Sequence, residues 1–409
     1  LIEKKEYQPG IVSMGYKLND ELFLNPVGKL VGLGPNAEKR LLRYEEEGIK
    51  KYEDFKLPYQ FLLDKYKSNI TIDSEAVNYV TTLKSLLLQK VSEFDGDKDE
   101  MTKRVNNTIR GMNSKIRAIQ NKNFRQSVSM SNHRLNSVIT NLNRELRYYL
   151  RINGNRLVEV DLKSSQPYVL GSILTNNFFT GGSSTDYNLI SIYPKLFNQL
   201  YYVSNTSSTD ITSLIGNSLY NNKKGFPKYF MTGGLDSHKE IQSFRSLPFK
   251  EGFYSHLNTD FFNGDYELQK VKDNIMLELN LADSKKRKHI ELIQQFKNHF
   301  PEINSFIESL NNFKSFKSAV AILLQRSESY LFLRVGCKAV NEQFPDVPFL
   351  TIHDSILIEE QYSEAVTPIL KHSLNSFTGI EPGVSVKVIE DPMTTLEFDI
   401  EEIWREILE

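Results

Sequence analysis

The stretch PFLTIHDSILIE, residues 348–359, places two apolar runs on either side of His353-Asp354-Ser355. Short apolar runs that flank a polar break are typical of a β-hairpin. A second stretch, RLVEVDL at residues 156–162, alternates apolar and polar side chains and brings Asp161 to its end, which is the pattern of a half-buried strand. The two stretches predict a small antiparallel sheet with Asp161 at a strand end and Asp354 at a hairpin tip.

These two aspartates are candidates for metal ligands. Taken singly, an aspartate in either place is also an ordinary turn residue. Two carboxylates held close together repel each other unless cations lie between them, and Mg²⁺ prefers carboxylate oxygens while it keeps waters and substrate phosphates. Two ions about 4 Å apart can activate a primer 3′-hydroxyl and stabilise leaving pyrophosphate. We therefore expect Asp161 and Asp354 to be catalytic and to bind two Mg²⁺ ions, for which Mn²⁺ can substitute.

The remaining segments mix helical and strand patterns, which favours an α+β fold. Apolar residues follow helical spacing over Ser74–Phe94, and the acidic run Phe94–Glu100 indicates a turn between two helices. Further segments are assigned as follows: helix at Gln166–Leu174, helices within 266–298 and 302–343, strand at Val384–Ile389, helix at Asp399–Leu408, and polar loops at 176–185 and 203–213.

Composition narrows the class of protein. The 409 residues contain one cysteine, which excludes a disulfide framework and a Cys-based zinc site. No run of 18 apolar residues is present, so we expect no spanning helix and no membrane partner. We expect an intracellular, cytoplasmic monomer from a bacterial or phage-infected cell.

Charge is unevenly distributed, although the net charge is only −1. Residues 101–156 carry twelve Lys and Arg side chains against one carboxylate, Glu145, which gives a local charge of +11. A basic stretch of this kind can follow a phosphate backbone and release counterions on binding. A solvated basic helix face is the alternative, and the length of the run favours nucleic acid.

The stretch His133–Leu170 resembles family A DNA polymerases, the class of the large fragment of DNA polymerase I. The family carries Arg-x-x-Ser, then Asn-Leu within Pro-Asn-Leu-Gln, then a lone Arg, then a strand motif that starts with Asp and reaches a Leu. The matching residues here are Arg134 and Ser137, Asn141-Leu142 without the proline, Arg147, Asp161 and Leu170.

The hairpin resembles the family's second catalytic motif, an apolar strand followed by His-Asp-Glu and a further apolar strand. Ser355 stands at the third position of that triplet, as in the related single-subunit phage RNA polymerases. Residues 300–303, Phe-Pro-Glu-Ile, are similar to the family's Phe-Pro-Glu-Val. The resemblance covers residues 130–390 and implies a right-hand polymerase with a palm sheet, helical fingers and a helical thumb.

The resemblance also implies roles for individual residues. The fingers motif has no clean copy, and its best candidate is Tyr266–Leu279, with Lys272 as the phosphate-binding lysine, Met276 near the aromatic position and Lys270 as an alternative. The backbone carbonyl of Leu162 would be a further metal ligand. Nucleic-acid contacts are implied for four residues: Arg134, Arg147, Gln325 and His353. For Gln325, a surface pair between its neighbours Arg326 and Glu328 is the alternative arrangement.

Sugar selection is expected to depend on Gln166. Family A DNA polymerases have a glutamate five residues after the motif aspartate, which blocks a ribose 2′-hydroxyl, and this count reaches Gln166 here. Glutamine is nearly isosteric with glutamate, so the resemblance favours deoxynucleotides. A glutamine can also hydrogen-bond a 2′-hydroxyl, which keeps ribonucleotides open.

The sequence thus predicts a template-directed DNA polymerase that acts on primer-template and dNTPs without a proofreading exonuclease. The alternatives are an RNA polymerase or primase-like enzyme of the same fold, and a polymerase-like protein that only binds nucleic acid. Replication, repair, a mobile element and defence all stay open as biological roles. The predicted division is 1–130 for the N-terminal region and thumb, 131–175 for the first part of the palm, 176–300 for the fingers, and 301–409 for the second part of the palm.

Overall fold

The computed structural model describes residues 2–4, 16–18, 50–181, 185–205, 234–280, 290–311 and 318–408. The chain divides into two units, residues 1–55 and 56–409. In the first unit, strands β1 (Ile2–Lys4) and β2 (Tyr16–Leu18) pair antiparallel. The second unit contains every residue selected above for function. The predicted boundaries of thumb, palm and fingers stay a prediction.

The strands of the second unit are β3 (Ile70–Ile72), β4 (Ser127–Val128), β5 (Leu135–Asn136), β6 (Leu150–Ile152), β7 (Leu157–Leu162), β8 (Phe349–Ile352), β9 (Ser355–Glu359) and β10 (Val384–Val388). Four of them form an antiparallel sheet in the order β10-β7-β9-β8, and two separate two-stranded ribbons are β3-β6 and β4-β5. The predicted hairpin and the two predicted strands are confirmed.

Helices make up most of the rest of this unit, so the predicted α+β class is confirmed. They are α1 (Gln60–Lys65), α2 (Glu75–Glu93), α3 (Lys98–Gln120), α4 (Ser165–Ile173), α5 (Asn176–Thr180), α6 (Leu189–Ile192), α7 (Pro194–Asn205), α8 (Lys239–Arg245), α9 (Phe253–His256), α10 (Leu268–Asn280), α11 (Glu291–His299), α12 (Pro301–Asn311), α13 (Ala319–Ser329), α14 (Cys337–Gln343), α15 (Glu360–Thr378) and α16 (Leu396–Leu408). Short 3₁₀ turns lie at Leu57–Tyr59 and Arg144–Tyr149, and π-helical segments lie at Leu257–Phe261 and Tyr330–Gly336.

One face of the four-stranded sheet is mainly apolar, and the other carries polar side chains on β7 and β10 beside buried apolar ones such as Leu357 on β9. Side chains alternate between the faces of a strand, and the paired residues Val160 and Ile356 are both fully buried. Burying each such side chain stabilises the fold by about 1.5–3 kcal/mol. Glu159 and Asp161 project from the other face, together with Lys387 on β10. Helix α15 packs against β7, β9 and β10.

The acidic turn before α3 is a helix cap. The side chain of Asp97 accepts hydrogen bonds from the backbone N–H groups of Asp99 at 3.1 Å and Glu100 at 3.0 Å, which satisfies two donors that a helix start leaves unpaired. Helices α2 and α3 then pack along each other. This confirms the predicted turn between two helices.

One predicted loop is wrong in part. Residues 176–180 form helix α5, because the side chain of Thr175 caps it by accepting from the N–H of Phe178 at 3.2 Å and both Phe178 and Phe179 are buried. Those aromatic residues outweigh the polar composition of the segment. Of the second predicted polar loop, residues 203–205 belong to helix α7 and residues 206–213 lie outside the described residues. No helix in the described ranges has both the length and the apolar composition needed to cross a membrane.

Candidate active site

The sheet brings Asp161 and Asp354 together, as the sequence predicts. Asp161 lies opposite Ser355 in the antiparallel register of β7 and β9, and the N–H of Leu162 donates to the carbonyl of Asp354 at 3.1 Å. The end of one strand is therefore joined directly to the tip of the hairpin. Burial raises the pKa of Asp161, and the nearby negative charge of Asp354 raises it further. The two carboxyl groups are thus electrostatically coupled.

The backbone beside each aspartate is in an unusual conformation. His353 has φ 54° and Ser164 has φ 51°, a left-handed region that costs a residue with a side chain about 1–2 kcal/mol. Ser164 is the N-cap residue of helix α4, and the hydroxyl of the next residue, Ser165, hydrogen-bonds to Asp354. Strained residues of this kind collect at functional sites, and here one precedes Asp354 and the other follows Asp161.

Asp354 is in a strongly perturbed environment. Burial raises its pKa to about 6, and the negative charge of Glu328 is the next contribution in the same direction. The Ser165 hydrogen bond and the charge of Arg134 oppose that rise. A carboxyl group with a pKa near 6 gains from a cation that stabilises its ionised form.

Asp161 already has a cationic partner within the chain. The ammonium of Lys387 lies 2.5 Å from its Oδ2, and the lysine side chain is 55% exposed whereas the aspartate side chain is 18% exposed. On the same face, the hydroxyl of Ser355 donates to Glu159 at 2.6 Å, and Arg147 lies 3.7 Å from that glutamate. Sequence reasoning missed Lys387, although it lies within the predicted strand at 384–389.

These donors fit Mg²⁺. Magnesium uses one or two protein carboxylates and fills its other positions with water and phosphate oxygens, so the two aspartates meet its minimum requirement. Among the described residues, no group of three or more His, Cys, Asp or Glu side chains could hold a metal ion. Leu162 could add an oxygen, because the N–H and the carbonyl of a strand residue point to the same side and its N–H faces Asp354.

A cavity of about 630 Å³ opens beside the two aspartates. Lys272 and Met276 of helix α10 line it, and their spacing of four residues places them on one helix face. Lys270, the alternative lysine, instead lies 5.2 Å over the ring of Tyr266. The structure therefore favours Lys272 as the lysine that faces the aspartates. The cavity wall also contains Gln166.

Gln166 belongs to a buried polar cluster that connects three segments. Its Nε2 donates to Glu328 Oε1 at 3.2 Å, and Arg134 forms an ion pair with the other carboxylate oxygen of Glu328. The alternative arrangement, a surface pair between Arg326 and Glu328, is wrong. Glu328 is only 2% exposed, and Arg326 donates to the carbonyls of Met130, Ser131 and Ile192.

The other predicted contact residues occupy the margins of this site. Arg147 lines a second groove of about 690 Å³, which Lys387 also lines. His353 is accessible on its turn, where partial loss of hydration lowers its pKa and the charges of Arg134 and Arg147 lower it further. Gln325 is half-buried on α13. Their predicted contacts with nucleic acid stay predictions.

Sequence reasoning also missed Tyr254, which lines the 630 Å³ cavity. Burial raises its pKa, and the nearby charge of Asp354 contributes next. No pattern around residue 254 marks it in the sequence, because its approach to Asp354 comes from the tertiary packing of α9.

The basic stretch is only partly available to a polyanion. Arg134, Arg147 and Arg151 have carboxylate partners from elsewhere in the chain. In contrast, Arg110 and Arg117 are exposed on α3 and line a shallow groove of about 560 Å³. Arg125, Arg144 and Arg156 are also exposed, so the solvent-facing cations of the +11 stretch lie both on α3 and on the segments that follow it.

The similarity between this chain and known proteins is distant. No protein-family model and no curated protein matches the chain. Among solved structures, a similar chain is the POL domain of Pol1 from M. smegmatis in complex with DNA primer-template and dNTP. It shares 11% sequence identity with this chain at a TM-score of 0.35, and the match covers 81% of this chain and 69% of that chain.

Proposed function

We propose that this chain is a template-directed nucleotide polymerase that extends a primer 3′-hydroxyl. The observation that carries the proposal is the 630 Å³ cavity, whose wall joins Asp161, Asp354, Gln166 and Lys272 from three separate segments. The sequence alone predicts a functional role for each of these four residues. Such convergence of hard oxygen ligands, a lysine and a polar wall suits a nucleoside triphosphate.

The residues of the cavity would have separate roles in nucleotidyl transfer. Asp161, Asp354 and the Leu162 carbonyl would hold two Mg²⁺ ions, and when bound these supply Lewis-acid activation of the 3′-hydroxyl and charge stabilisation on the departing phosphates. Lys272, which lines the same cavity, binds the β- and γ-phosphates as a point charge. The 3′-hydroxyl gives its proton to solvent water and its oxygen forms a bond to the α-phosphorus. The bond between the α-phosphorus and the bridging oxygen breaks, and pyrophosphate leaves with the electron pair of that bond.

The nucleic acid would bind along basic surfaces outside this cavity. Arg110 and Arg117 on α3 supply exposed cations, and His353 lies beside the carboxylates with Arg147 nearby. Phosphate contacts of this type position a duplex without reading its sequence. DNA as template and deoxynucleotides as substrate are the specific form that we propose, based on the size of Gln166 and the family resemblance.

A primer-extension assay tests the proposal. A labelled primer on a longer template is incubated with the protein, Mg²⁺ and either dNTPs or NTPs. We expect extension that stops in Asp161→Asn and Asp354→Asn, because an amide is a poor substitute for a carboxylate ligand. Asp186→Asn is the matched control, since that aspartate is 71% exposed.

Two results would reject the proposal. Equal extension by Asp161→Asn and the unmutated protein would exclude a carboxylate-dependent mechanism. Tight binding of primer-template without extension under any metal or nucleotide condition would identify a binding protein instead of an enzyme.

A further inference from the structure

Lys387 lies between two carboxylates on one face of the sheet. In the antiparallel register of β7 and β10 it is directly opposite Glu159, whereas Asp161 is its diagonal neighbour. The Cβ atoms of directly opposite residues are about 4.5–5.5 Å apart and those of diagonal residues about 7–8 Å apart, so one lysine side chain can reach both carboxylates. Lys387 also lines both the 630 Å³ cavity, which contains Asp161, and the 690 Å³ groove, which contains Glu159.

The ammonium of Lys387 bonds to the diagonal carboxylate. It lies 2.5 Å from Oδ2 of Asp161, so a metal ion that binds this oxygen takes the place of the ammonium. The lysine side chain is more than half exposed, and its four-carbon stem is flexible. The ammonium can therefore turn toward the other carboxylate while the sheet keeps its register.

Glu159 has an oxygen available to receive the ammonium. Its Oε1 accepts from the hydroxyl of Ser355 at 2.6 Å, and Arg147 lies 3.7 Å from the same oxygen, which is beyond hydrogen-bonding distance. Within the described part of the chain, Oε2 of Glu159 makes no hydrogen bond. Since an ionised carboxylate has about four acceptor positions, Glu159 can accept from Lys387 while it keeps its bond to Ser355.

We propose that Glu159 is a positioning residue that receives the ammonium of Lys387 when a divalent metal ion binds Asp161. The lysine then moves from the catalytic cavity into the neighbouring groove. This inference rests on the metal site in the function proposed above. The new ion pair offsets part of the cost of breaking the old one, and the offset is partial because the positive charge of Arg147 already lies near Glu159.

A double-mutant cycle on metal affinity tests this exchange. Isothermal titration at pH 7.5 measures Mg²⁺ binding, without nucleotide, in the unmutated protein, Glu159→Gln, Lys387→Met and the double variant. Glutamine keeps an acceptor for the Ser355 hydroxyl and removes the charge that would hold the ammonium. We expect Glu159→Gln to weaken Mg²⁺ binding by about 1.4- to 5-fold more in the presence of Lys387 than in its absence, which is the value of one exposed ion pair.

A matched control removes a different carboxylate from the same groove. Glu390 lines that groove and is exposed, so the effect of Glu390→Gln on Mg²⁺ binding should be the same with and without Lys387→Met. If Glu159→Gln also has the same effect in both backgrounds, Glu159 acts only as a distant negative charge, and the inference is overturned.

A structure of the unmutated protein determined with Mg²⁺ decides the question even if Glu159→Gln does not fold. We expect the ammonium of Lys387 within about 4 Å of a Glu159 oxygen, the range of an ion pair. A lysine that stays on Asp161 or extends into solvent overturns the inference. Mg²⁺ binding that Asp161→Asn abolishes, but that shows no coupling between Glu159 and Lys387, rejects this inference alone. Mg²⁺ binding that does not depend on Asp161 rejects it together with the proposed metal mechanism.

Discussion

Lys387 is predicted to compete with a metal ion for Asp161. Its ammonium lies 2.5 Å from the carboxylate that would bind Mg²⁺, so a metal ion must displace it. Replacing the lysine by methionine, Lys387→Met, keeps most of the side-chain length and removes the charge. We therefore expect the variant to bind Mg²⁺ more tightly at pH 7.5.

The size of the gain follows from the exposure of the pair. The lysine side chain is 55% exposed, and exposed ion pairs contribute about 0.2–1 kcal/mol. Because about 1.4 kcal/mol corresponds to a tenfold change in affinity, the Mg²⁺ concentration at half-saturation should fall by about 1.4- to 5-fold. Isothermal titration with Mg²⁺, or titration with Mn²⁺ followed by electron paramagnetic resonance, measures this change without any nucleotide.

A matched control is available elsewhere in the same unit. Lys90 lies 2.5 Å from Glu401, so Lys90→Met removes the same charge from an ion pair at the same distance. That variant should bind the metal like the unmutated protein. If Lys387→Met binds metal more weakly than both, the lysine supports the metal site, and the reasoning from competition is wrong.

Four further predictions concern metal binding against pH, stability against pH, nucleic-acid binding and core packing. The affinity for Mg²⁺ should fall as pH is lowered through about 6, because the raised pKa of Asp354 lets a proton replace the metal. Mg²⁺ titrations between pH 5 and 8 should show this fall. An affinity that does not depend on pH would contradict the prediction. Without metal, the raised pKa of Asp354 makes the folded state bind more protons than the unfolded state between pH 3.8, the ordinary pKa, and about pH 6. The contribution of Asp354 to the free energy of unfolding therefore falls as pH rises through that window. Urea unfolding at several pH values would measure this fall. Arg110→Ala and Arg117→Ala should each reduce the slope of log affinity against log salt for DNA by about 1, and an unchanged slope would exclude phosphate contacts. Leu87→Ala should lower the free energy of unfolding by about 2–5 kcal/mol, since Leu87 is fully buried on α2, and a loss below 1 kcal/mol in urea unfolding would show that the site repacks.

The sheet and the aspartate pair could be predicted because their signals are local. Alternation over a few residues specifies a strand, and a polar break between two apolar runs specifies a hairpin, so Asp161 and Asp354 were placed correctly. Lys272 was selected by a family pattern with two candidate lysines, and only the approach of α10 to the sheet separates it from Lys270. Helix α5 was missed because its two buried phenylalanines lie within a polar segment.

The environment of the site could not be predicted, since its partners are distant in sequence. Gln166 and Glu328 are 162 residues apart, and Arg134 and Glu328 are 194 residues apart. The local charge of +11 overestimates the free positive charge for the same reason. It does not include carboxylates such as Glu159 and Asp73, which pair with Arg147 and Arg151 only in the folded protein.

The negative charges of Asp161 and Asp354 are balanced in different ways. A buried carboxylate pair needs positive charge or protons; Asp161 obtains charge from Lys387, whereas burial and Glu328 shift Asp354 toward its protonated form. Metal binding should accordingly displace a lysine at one ligand and a proton at the other. Because Lys387 opposes the rise in the pKa of Asp161, Lys387→Met should raise Mg²⁺ affinity at pH 7.5 and also move the midpoint of its pH dependence above about 6. Calorimetry in two buffers of different ionisation enthalpy counts the protons released, and Lys387→Met should release more of them than the unmutated protein. A midpoint that is unchanged in Lys387→Met would show that Asp161 does not take part in this titration.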